Sequence, residues 1–202
     1  KGIPRMKTSL ILNPSSGVAA RALPAVREFA ARHAASLHLT TGPRHAATLA
    51  ARAVAEGCEL VVAVGGDGTM NEVAAALVGT PATLGLVPCG SGDGLGRHLH
   101  LHGRIARALG ILTSGTPRRI DSGLADGHAF FTVAGLGFEA EIADRFNHAS
   151  RRGFLPYLLL SARAFATWRP QEYTVTDATG TRRLRAFTLA VDFTPPATVS
   201  NL

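Results

Sequence analysis

The stretch that most limits the fold of this chain runs from Leu60 to Val73 and reads LVVAVGGDGTMNEV. Leu60–Val64 is apolar at every position, which is typical of a strand buried on both faces of a parallel sheet. Two glycines end the strand, and an aspartate, a third glycine and a threonine follow them. A buried strand that ends in a polar glycine turn before a helix indicates an α/β sheet with functional groups at its strand ends.

The neighbouring segments repeat this alternation of strand and helix. Apolar runs bounded by turn-forming residues predict strands, and Ala-rich segments with a helical apolar stripe predict helices. The predicted strands are Thr8–Leu12, Leu37–Thr40, Leu60–Val64 and Thr83–Val87, and the predicted helices are Ala19–Ala35, His45–Glu56, Asn71–Val78 and Arg104–Thr113. The pattern predicts a doubly wound, mostly parallel α/β sheet.

The character of the sequence changes near residue 118. Beyond it, four segments are predicted to be strands with less helix between them, and Pro156–Trp168 is predicted to be a helix. The strand predictions are Arg118–Ala125, Ala129–Ala134, Glu172–Asp177 and Arg183–Asp192. We therefore predict an α/β domain over residues 1–118 and a β-rich domain over residues 119–202.

The chain has 202 residues and a net charge of +7, so it favours an anionic partner. A nucleotide and an acidic membrane surface both meet that condition. Nucleic acid fits less well, because the arginines are not interleaved with a recognisable binding module. The two cysteines, Cys58 and Cys89, form no CxxC pair, which favours a reduced, cytoplasmic protein with packed thiols. No apolar run has the length of a membrane span.

The glycine turn after the buried strand has the features of a phosphate-binding site. At the carboxyl end of a parallel strand, backbone N–H groups of the turn and of the next helix face outward and bind phosphate oxygens. Gly65, Gly66 and Gly68 leave room for a phosphate, and Thr69 adds a hydroxyl. Asp67 would repel a phosphate, so we expect it to organise Mg²⁺ or to take a proton from an attacking hydroxyl. A purely structural turn is the alternative.

Two further strands end in similar turns. Leu10–Gly17 reads LILNPSSG, and Gly85–Leu99 reads GLVPCGSGDGLGRHL. Three such turns at neighbouring strand ends would line one crevice, which favours a nucleotide site over a structural turn. The site is not a Walker A loop, because no G-x-x-x-x-G-K-[ST] occurs, and no G-x-G-x-x-G opens a strand–helix unit.

At these turns the sequence resembles the diacylglycerol kinase catalytic-domain family of lipid kinases, which includes sphingosine kinases and bacterial lipid kinases. Residues 65–73, GGDGTMNEV, are similar to the family signature GGDGTxNEV. GGDGT alone is shared with NAD kinases and 6-phosphofructokinases, so the flanking motifs carry the specificity. The flanking segments that resemble those of the family are Asn13–Gly17, Thr40–Ala46, Pro88–Arg97, Asp121–Gly123 and Ala134–Glu141.

The resemblance implies an α/β domain and a β-sandwich with ATP and Mg²⁺ between them, and transfer of the γ-phosphoryl group to a lipid hydroxyl. Asp67 matches the aspartate proposed there as the base or the metal organiser. Glu141 matches an acidic position that faces the lipid head group, and Glu139 either joins it at the substrate or pairs with an arginine. The predicted nucleotide-binding residues are Asn13, Pro14, Ser15, Ser16, Gly17, Thr41, Gly65, Gly66, Asp67, Gly68, Thr69, Asn71, Glu72, Gly90, Ser91 and Asp93.

Two departures from the family pattern bear on activity. Asp93 stands where the family usually has asparagine, so a negative charge replaces an amide donor near the phosphates. It would act through Mg²⁺ or weaken ATP binding. The family also continues beyond this sequence, with residues that in bacterial members bind a structural Mg²⁺ and supply an acidic catalytic residue. We therefore expect an incomplete sandwich, in a fragment or in a shortened member.

Two other features have competing interpretations. Ile142–Arg169 combines aromatic residues with five arginines, and it would rest on an anionic membrane or pack on the second domain. We favour the membrane, because a lipid kinase must reach a bilayer. The alternate histidines of His98–His102 would bind a metal or form an exposed turn, and we favour the turn because no acid or cysteine follows at ligand spacing.

The sequence therefore supports three functions. The first is a cytoplasmic, peripherally membrane-associated kinase that uses ATP and Mg²⁺ to phosphorylate a diacylglycerol-like or sphingoid lipid. The second is a catalytically impaired nucleotide- or lipid-binding relative, and the third is a soluble-substrate kinase of the NAD kinase type. In the first, residues 1–118 bind the nucleotide and residues 119–202 bind the lipid. Whether two copies of the chain form a homodimer is left open by the sequence.

Overall fold

A parallel sheet forms the centre of the first part of the chain. The computed structural model describes residues 6–147, 162, 164, 165 and 167–192. The strands of this sheet lie in the order β2-β1-β3-β4, and every neighbouring pair is parallel. Their bounds are β1 Thr8–Leu12, β2 Ser36–Leu39, β3 Leu60–Gly65 and β4 Thr83–Pro88. The predicted parallel α/β sheet is confirmed.

Four of the helices of this part have bounds close to those predicted, except at the start of α3, whereas the short α4 is not among the predictions. The helices are α1 Ala19–His33, α2 His45–Ala55, α3 Asp67–Leu77, α4 Gly94–His98 and α5 Ile105–Ser114. The sequence pattern predicts that α3 begins at Asn71, whereas it begins at Asp67. Gly66 has an extended backbone, with φ −93° and ψ −169°, and is the N-cap, so the strand passes almost directly into the helix.

The sheet is covered by helices on both faces, as the continuous apolar strands predict. On one face Val61 and Ala63 of β3 pack with residues of α2 and α3. On the other face Val62 and Val64 pack with residues of α1 and α5. Because successive strand residues point to opposite faces, β3 must be apolar at every position, and all its residues are buried. The doubly wound arrangement is therefore confirmed.

The strand order places the carboxyl ends of β1 and β3 side by side at the centre of the sheet. The chain leaves β1 for β2 on one side and then returns to form β3 on the other side. In an open α/β sheet, ligands bind in the crevice outside the carboxyl ends where the strand order reverses. The segments that follow β1, β3 and β4 therefore lie at the edge where a ligand site is expected.

The remaining strands form antiparallel pairs. β5 Gly123–Ala125 pairs with β6 His128–Phe130, β7 Val133–Gly137 with β10 Thr188–Asp192, and β8 Gln171–Asp177 with β9 Gly180–Ala186. The predicted strand at Ala129–Ala134 is wrong as one element, because β6 and β7 pair in different sheets. The single strand predicted at Arg183–Asp192 is likewise wrong, because this range contains parts of two strands, β9 and β10. Of the predicted strand Arg118–Ala125, only Gly123–Ala125 is a strand. The β-rich character of this region is confirmed.

The described residues divide into two compact units, residues 6–132 and residues 133–192. The second unit contains β7, β8, β9, β10 and α6 Phe138–Asn147, a helix that is not among the sequence predictions. Most of the predicted helix Pro156–Trp168 lies outside the described residues. Of the helices that are described, none is long and apolar enough to cross a bilayer. The functional boundary between residues 118 and 119 stays a prediction.

Candidate active site

The start of α3 is the point where three neighbouring segments of the first unit meet. We call these segments the β1 turn (residues 13–17), the β3 turn (residues 65–69) and the β4 turn (residues 89–94). The Asn13 side chain donates from Nδ2 to Thr69 Oγ1 at 3.1 Å, and its Oδ1 accepts from Ser15 N at 3.0 Å. The Asn13 backbone N–H donates to the Val64 carbonyl at 3.0 Å. Asn13 therefore fixes the β1 turn to the end of β3 and to α3.

Asp67 fixes the β4 turn in the same way. Its carboxylate accepts hydrogen bonds from the backbone N–H groups of Asp93 and Gly94, each at 2.7 Å. These two N–H groups belong to the start of α4, where no acceptor is available within the helix. Asp67 remains exposed, and these backbone donors fix the orientation of its carboxylate.

Glu72 connects α3 to the segment after β2. Its Oε1 accepts from Arg44 N at 3.0 Å, and its Oε2 accepts from Ala46 N at 3.1 Å. These donors lie at the N-terminus of α2, so the glutamate of the GGDGTMNEV signature caps a helix that lies earlier in the chain. Thr41, in the same segment, donates from its backbone N–H to His45 Nδ1 at 3.0 Å.

The glycines bring the three turns into backbone contact. A Cβ on Gly66 would lie 3.0 Å from Ser16 Oγ and 3.2 Å from the Cα of Gly90. A Cβ on Gly90 would lie 2.7 Å from the Cα of Gly66, and one on Gly17 would overlap with the Cys89 carbonyl oxygen. Side chains at these positions would therefore push the turns apart. The predicted convergence of the three glycine turns is confirmed.

The start of α3 carries backbone donors with no acceptor inside the helix. The first intrahelical bond runs from Met70 N to the Gly66 carbonyl at 3.0 Å, so the N–H groups of Asp67, Gly68 and Thr69 precede it. Asp67 and Gly68 are exposed, whereas Thr69 is buried. The helix dipole adds positive potential at this end. The arrangement is suited to binding an anion.

The Asp93 carboxylate is directed into the protein. Its Oδ1 accepts from Gly90 N at 2.9 Å, and its Oδ2 lies 3.0 Å from His102 Nδ1. The carboxylate therefore makes contacts within and beneath the β4 turn, and whether Asp93 contacts a ligand stays a prediction. The predicted exposed turn at His98–His102 holds for His98 and His100, whereas His102 is half-buried, and its contact with Asp93 was not predicted.

Both cysteines are free and buried, as predicted. Burial, with a further contribution from the negative charge of Asp93, raises the pKa of the Cys89 thiol to about 11. Burial also raises the pKa of Cys58. Within the described part of the chain, no group of three or more His, Cys, Asp and Glu side chains is placed to hold a metal ion.

The other predicted site residues fall into two sets. In the first unit, Gly65 is buried. The half-buried residues are Ser16, Asn71 and Gly90, and the exposed residues are Pro14, Ser15, Gly17, Thr41 and Ser91. In the second unit, Glu139 and Glu141 lie in the first turn of α6. A Cβ on Gly135 would lie 3.0 Å from Glu139 Oε2, so this carboxylate lies close to β7. That these glutamates face a lipid head group stays a prediction.

Phe165 and Trp168, two aromatic residues of the predicted membrane segment, contact other aromatic rings of the second unit. The Phe138 ring centroid lies 5.9 Å from that of Phe165, 6.1 Å from that of Trp168 and 4.7 Å from that of Phe187. Trp168 Nε1 donates to the Phe187 carbonyl at 3.1 Å. Phe165 is still 64% exposed. Residues 148–161, 163 and 166 of the aromatic and basic stretch lie outside the described residues.

Comparison with known protein families and curated proteins gives a consistent result. The family model for the diacylglycerol kinase catalytic domain matches residues 7–125. A diacylglycerol kinase of Staphylococcus saprophyticus is 33% identical over 139 residues, which are 66% of this chain and 46% of that protein. A diacylglycerol kinase of Staphylococcus aureus is 32% identical over 139 residues, with 66% and 44% covered. The chain thus spans about half the length of the curated relatives it matches.

Comparison with solved structures supports the fold. A diacylglycerol kinase from Bacillus anthracis has a TM-score of 0.71 at 23% identity, over 93% of this chain and 64% of that one. A second crystal structure from the same organism has a TM-score of 0.74 at 22% identity, with 93% and 64% covered. At this identity the likeness shows a shared fold.

Proposed function

The chain belongs to the diacylglycerol kinase catalytic-domain family, and from that premise we propose that it is part of an ATP-dependent lipid kinase. The enzyme transfers the γ-phosphoryl group of ATP to a hydroxyl of a diacylglycerol-like or sphingoid lipid. The main support is the meeting of three glycine turns at the open N-terminus of α3, with an exposed carboxylate beside it.

The residues at this edge fit the phosphates of a nucleotide. Gly66 and Gly90 have no Cβ, so the β1, β3 and β4 turns pack against each other closely enough for one polyphosphate to contact all three. The N–H groups of Asp67, Gly68 and Thr69 would donate to phosphate oxygens, helped by the α3 dipole. Ser15, Ser16 and Ser91 add hydroxyls from the β1 and β4 turns.

Asp67 also fits a role next to Mg²⁺. When bound with ATP, Mg²⁺ neutralises phosphate charge, and it is commonly held by one or two carboxylates together with the phosphates. An ionised carboxylate has about four lone-pair positions, and two of those on Asp67 accept from Asp93 N and Gly94 N. The remaining positions would contact the metal or the attacking hydroxyl.

Asp67 would act on the lipid hydroxyl by orienting it and accepting its proton. The two backbone donors hold the carboxylate in one orientation, so little further ordering is required when the hydroxyl arrives. Phosphoryl transfer depends mostly on positioning and charge neutralisation, and both are supplied by groups at the start of α3.

The buried position of Asp93 argues against the impaired relative. An exposed aspartate in the β4 turn would repel the phosphates, but both oxygens of Asp93 have donors within the protein. The Asp93 side chain is only 2% exposed. The substitution of aspartate for the usual asparagine is therefore compatible with ATP binding.

The proposed lipid acceptor follows from the curated relatives, which are diacylglycerol kinases. Diacylglycerol is accordingly the first lipid to test, with a sphingoid base second. Because both lipids reside in bilayers, we propose a cytoplasmic protein that contacts an anionic membrane from one side. The net charge of +7 favours that contact.

Transfer of label from radiolabelled ATP tests this function. The protein is incubated with Mg²⁺ and ATP and with micelles that contain diacylglycerol, sphingosine or no lipid, and NAD is offered separately. We expect label in the diacylglycerol product and none in NAD. Label in NAD alone would select the soluble-substrate kinase. ATP binding by calorimetry without label in any acceptor would select the catalytically impaired relative.

A further inference from the structure

Three side chains support the β4 turn from beneath. Asp93 Oδ1 accepts from Gly90 N at 2.9 Å and so closes the turn across three residues. Asp93 is held in the left-handed region, with φ 49° and ψ 53°, which aspartate tolerates better than most residues. Its Oδ2 meets His102 Nδ1 at 3.0 Å. His102 lies between α4 and α5, and its side chain is 33% exposed.

Arg97 completes the network. Its Nε donates to the Gly92 carbonyl at 2.5 Å, and its Nη2 donates to the Ser91 carbonyl at 3.0 Å. The same Nη2 lies 3.1 Å from His102 Nε2. A guanidinium only donates, so His102 Nε2 must accept and His102 Nδ1 must carry the proton. His102 therefore donates to Asp93 in one defined tautomer.

We propose that His102 is a positioning residue for the β4 turn, acting through Asp93, with Arg97 fixing its tautomer. This inference rests on the proposed nucleotide-binding role of that turn. Together, Asp93 and His102 hold the β4 turn in the way that an uncharged asparagine at position 93 would hold it alone. The specific claim is that aspartate at this position requires the histidine nine residues later.

The physical reason is the cost of a buried carboxylate. Asp93 Oδ2 loses water when it is buried, and His102 Nδ1 supplies a donor in its place. Without this donor the carboxylate would move toward solvent and release Gly90 N from Oδ1. The displacement would also reach the catalytic carboxylate, because Asp93 N and Gly94 N hold Asp67 in place.

The experiment measures Mg–ATP affinity by titration calorimetry. His102→Ala is expected to weaken Mg–ATP binding by roughly tenfold to a hundredfold, as the loss of a donor to a buried charge implies. His102→Asn keeps a donor, because asparagine Nδ2 occupies the position of imidazole Nδ1, so it should restore affinity to within about threefold. His98→Ala, an exposed histidine nearby, is the control.

A second background separates the positioning role from simple packing. In an Asp93→Asn protein the buried charge is absent, so adding His102→Ala should cause little further loss of affinity. An equal loss from His102→Ala in both backgrounds, or normal affinity of the single variant, would overturn the proposal. Weak binding by His102→Asn, as weak as that of His102→Ala, would also count against it.

The experiments distinguish a failure of this inference from a failure of the proposed function. If the unmodified protein does not bind Mg–ATP, the nucleotide function is wrong. The imidazole nitrogen chemical shifts of His102 still test the hydrogen-bond network in that case, because they can be recorded without a ligand. Shifts of the tautomer protonated at Nδ1 would support it, and shifts of the Nε2 tautomer would contradict it.

Discussion

Replacing Asp67 by asparagine is expected to lower phosphoryl transfer to diacylglycerol by about a hundredfold to ten-thousandfold, the range for loss of a catalytic base. The asparagine has no negative charge for Mg²⁺ or for the proton of the lipid hydroxyl. Its NH₂ group would also face Asp93 N or Gly94 N, both of which are donors. The measurement is kcat/KM with lipid micelles, together with the denaturation midpoint.

The fold should survive this change. Asp67 is exposed, and losing part of a helix cap costs about 0.5–2 kcal/mol. Asp126→Asn is the matched control, because Asp126 is an exposed aspartate with φ 49° in the turn between β5 and β6, where asparagine is equally tolerated. Full activity of Asp67→Asn would remove Asp67 from its proposed role.

Replacing Gly17 by alanine is expected to destabilise the protein by about 3–5 kcal/mol, a size that is exceptional for a glycine at the surface. Gly17 has φ 47°, and its Cβ would overlap with the Cys89 carbonyl, which accepts from Val18 N at 2.9 Å. The β1 turn would have to move away from the β4 turn. We therefore also expect weaker Mg–ATP binding. Urea denaturation and calorimetry measure the two effects.

Gly57→Ala provides the control for backbone conformation. Gly57 has φ 79°, yet a Cβ at this position would meet no atom within 4 Å, so only the left-handed penalty of about 1–2 kcal/mol applies. The difference between the two variants isolates the close approach of the turns. Equal losses in the free energy of unfolding would contradict the packing of the β1 turn against the β4 turn.

The sheet could be predicted from the sequence because its signal is local. Leu60–Val64 is apolar throughout, and that pattern follows directly from burial on both faces. The glycine turns are also recognisable, since turn residues stand directly after apolar runs. The antiparallel strands are harder to place, because β7 pairs with β10 and the partner of a short strand is not visible in its own sequence.

The connections made by the acids of the signature could not be predicted. Asp67 bonds to residues 26 and 27 positions later, and Glu72 bonds to residues 28 and 26 positions earlier. No periodicity in the sequence reports such contacts, because they depend on which strand ends lie side by side. The pairing of Asp93 with His102 is also seen only in the folded chain, because it depends on how the segment around α4 folds back on the β4 turn.

The central claim is that the β1, β3 and β4 turns form one binding site for the phosphates of ATP. Backbone amide chemical shifts, recorded during titration with Mg–ATP and separately with adenosine, test it most directly. We predict that amides of all three turns, including Ser16, Gly68 and Ser91, shift together with Mg–ATP and much less with adenosine. Shifts confined to one turn, or equal shifts with adenosine, would contradict the claim.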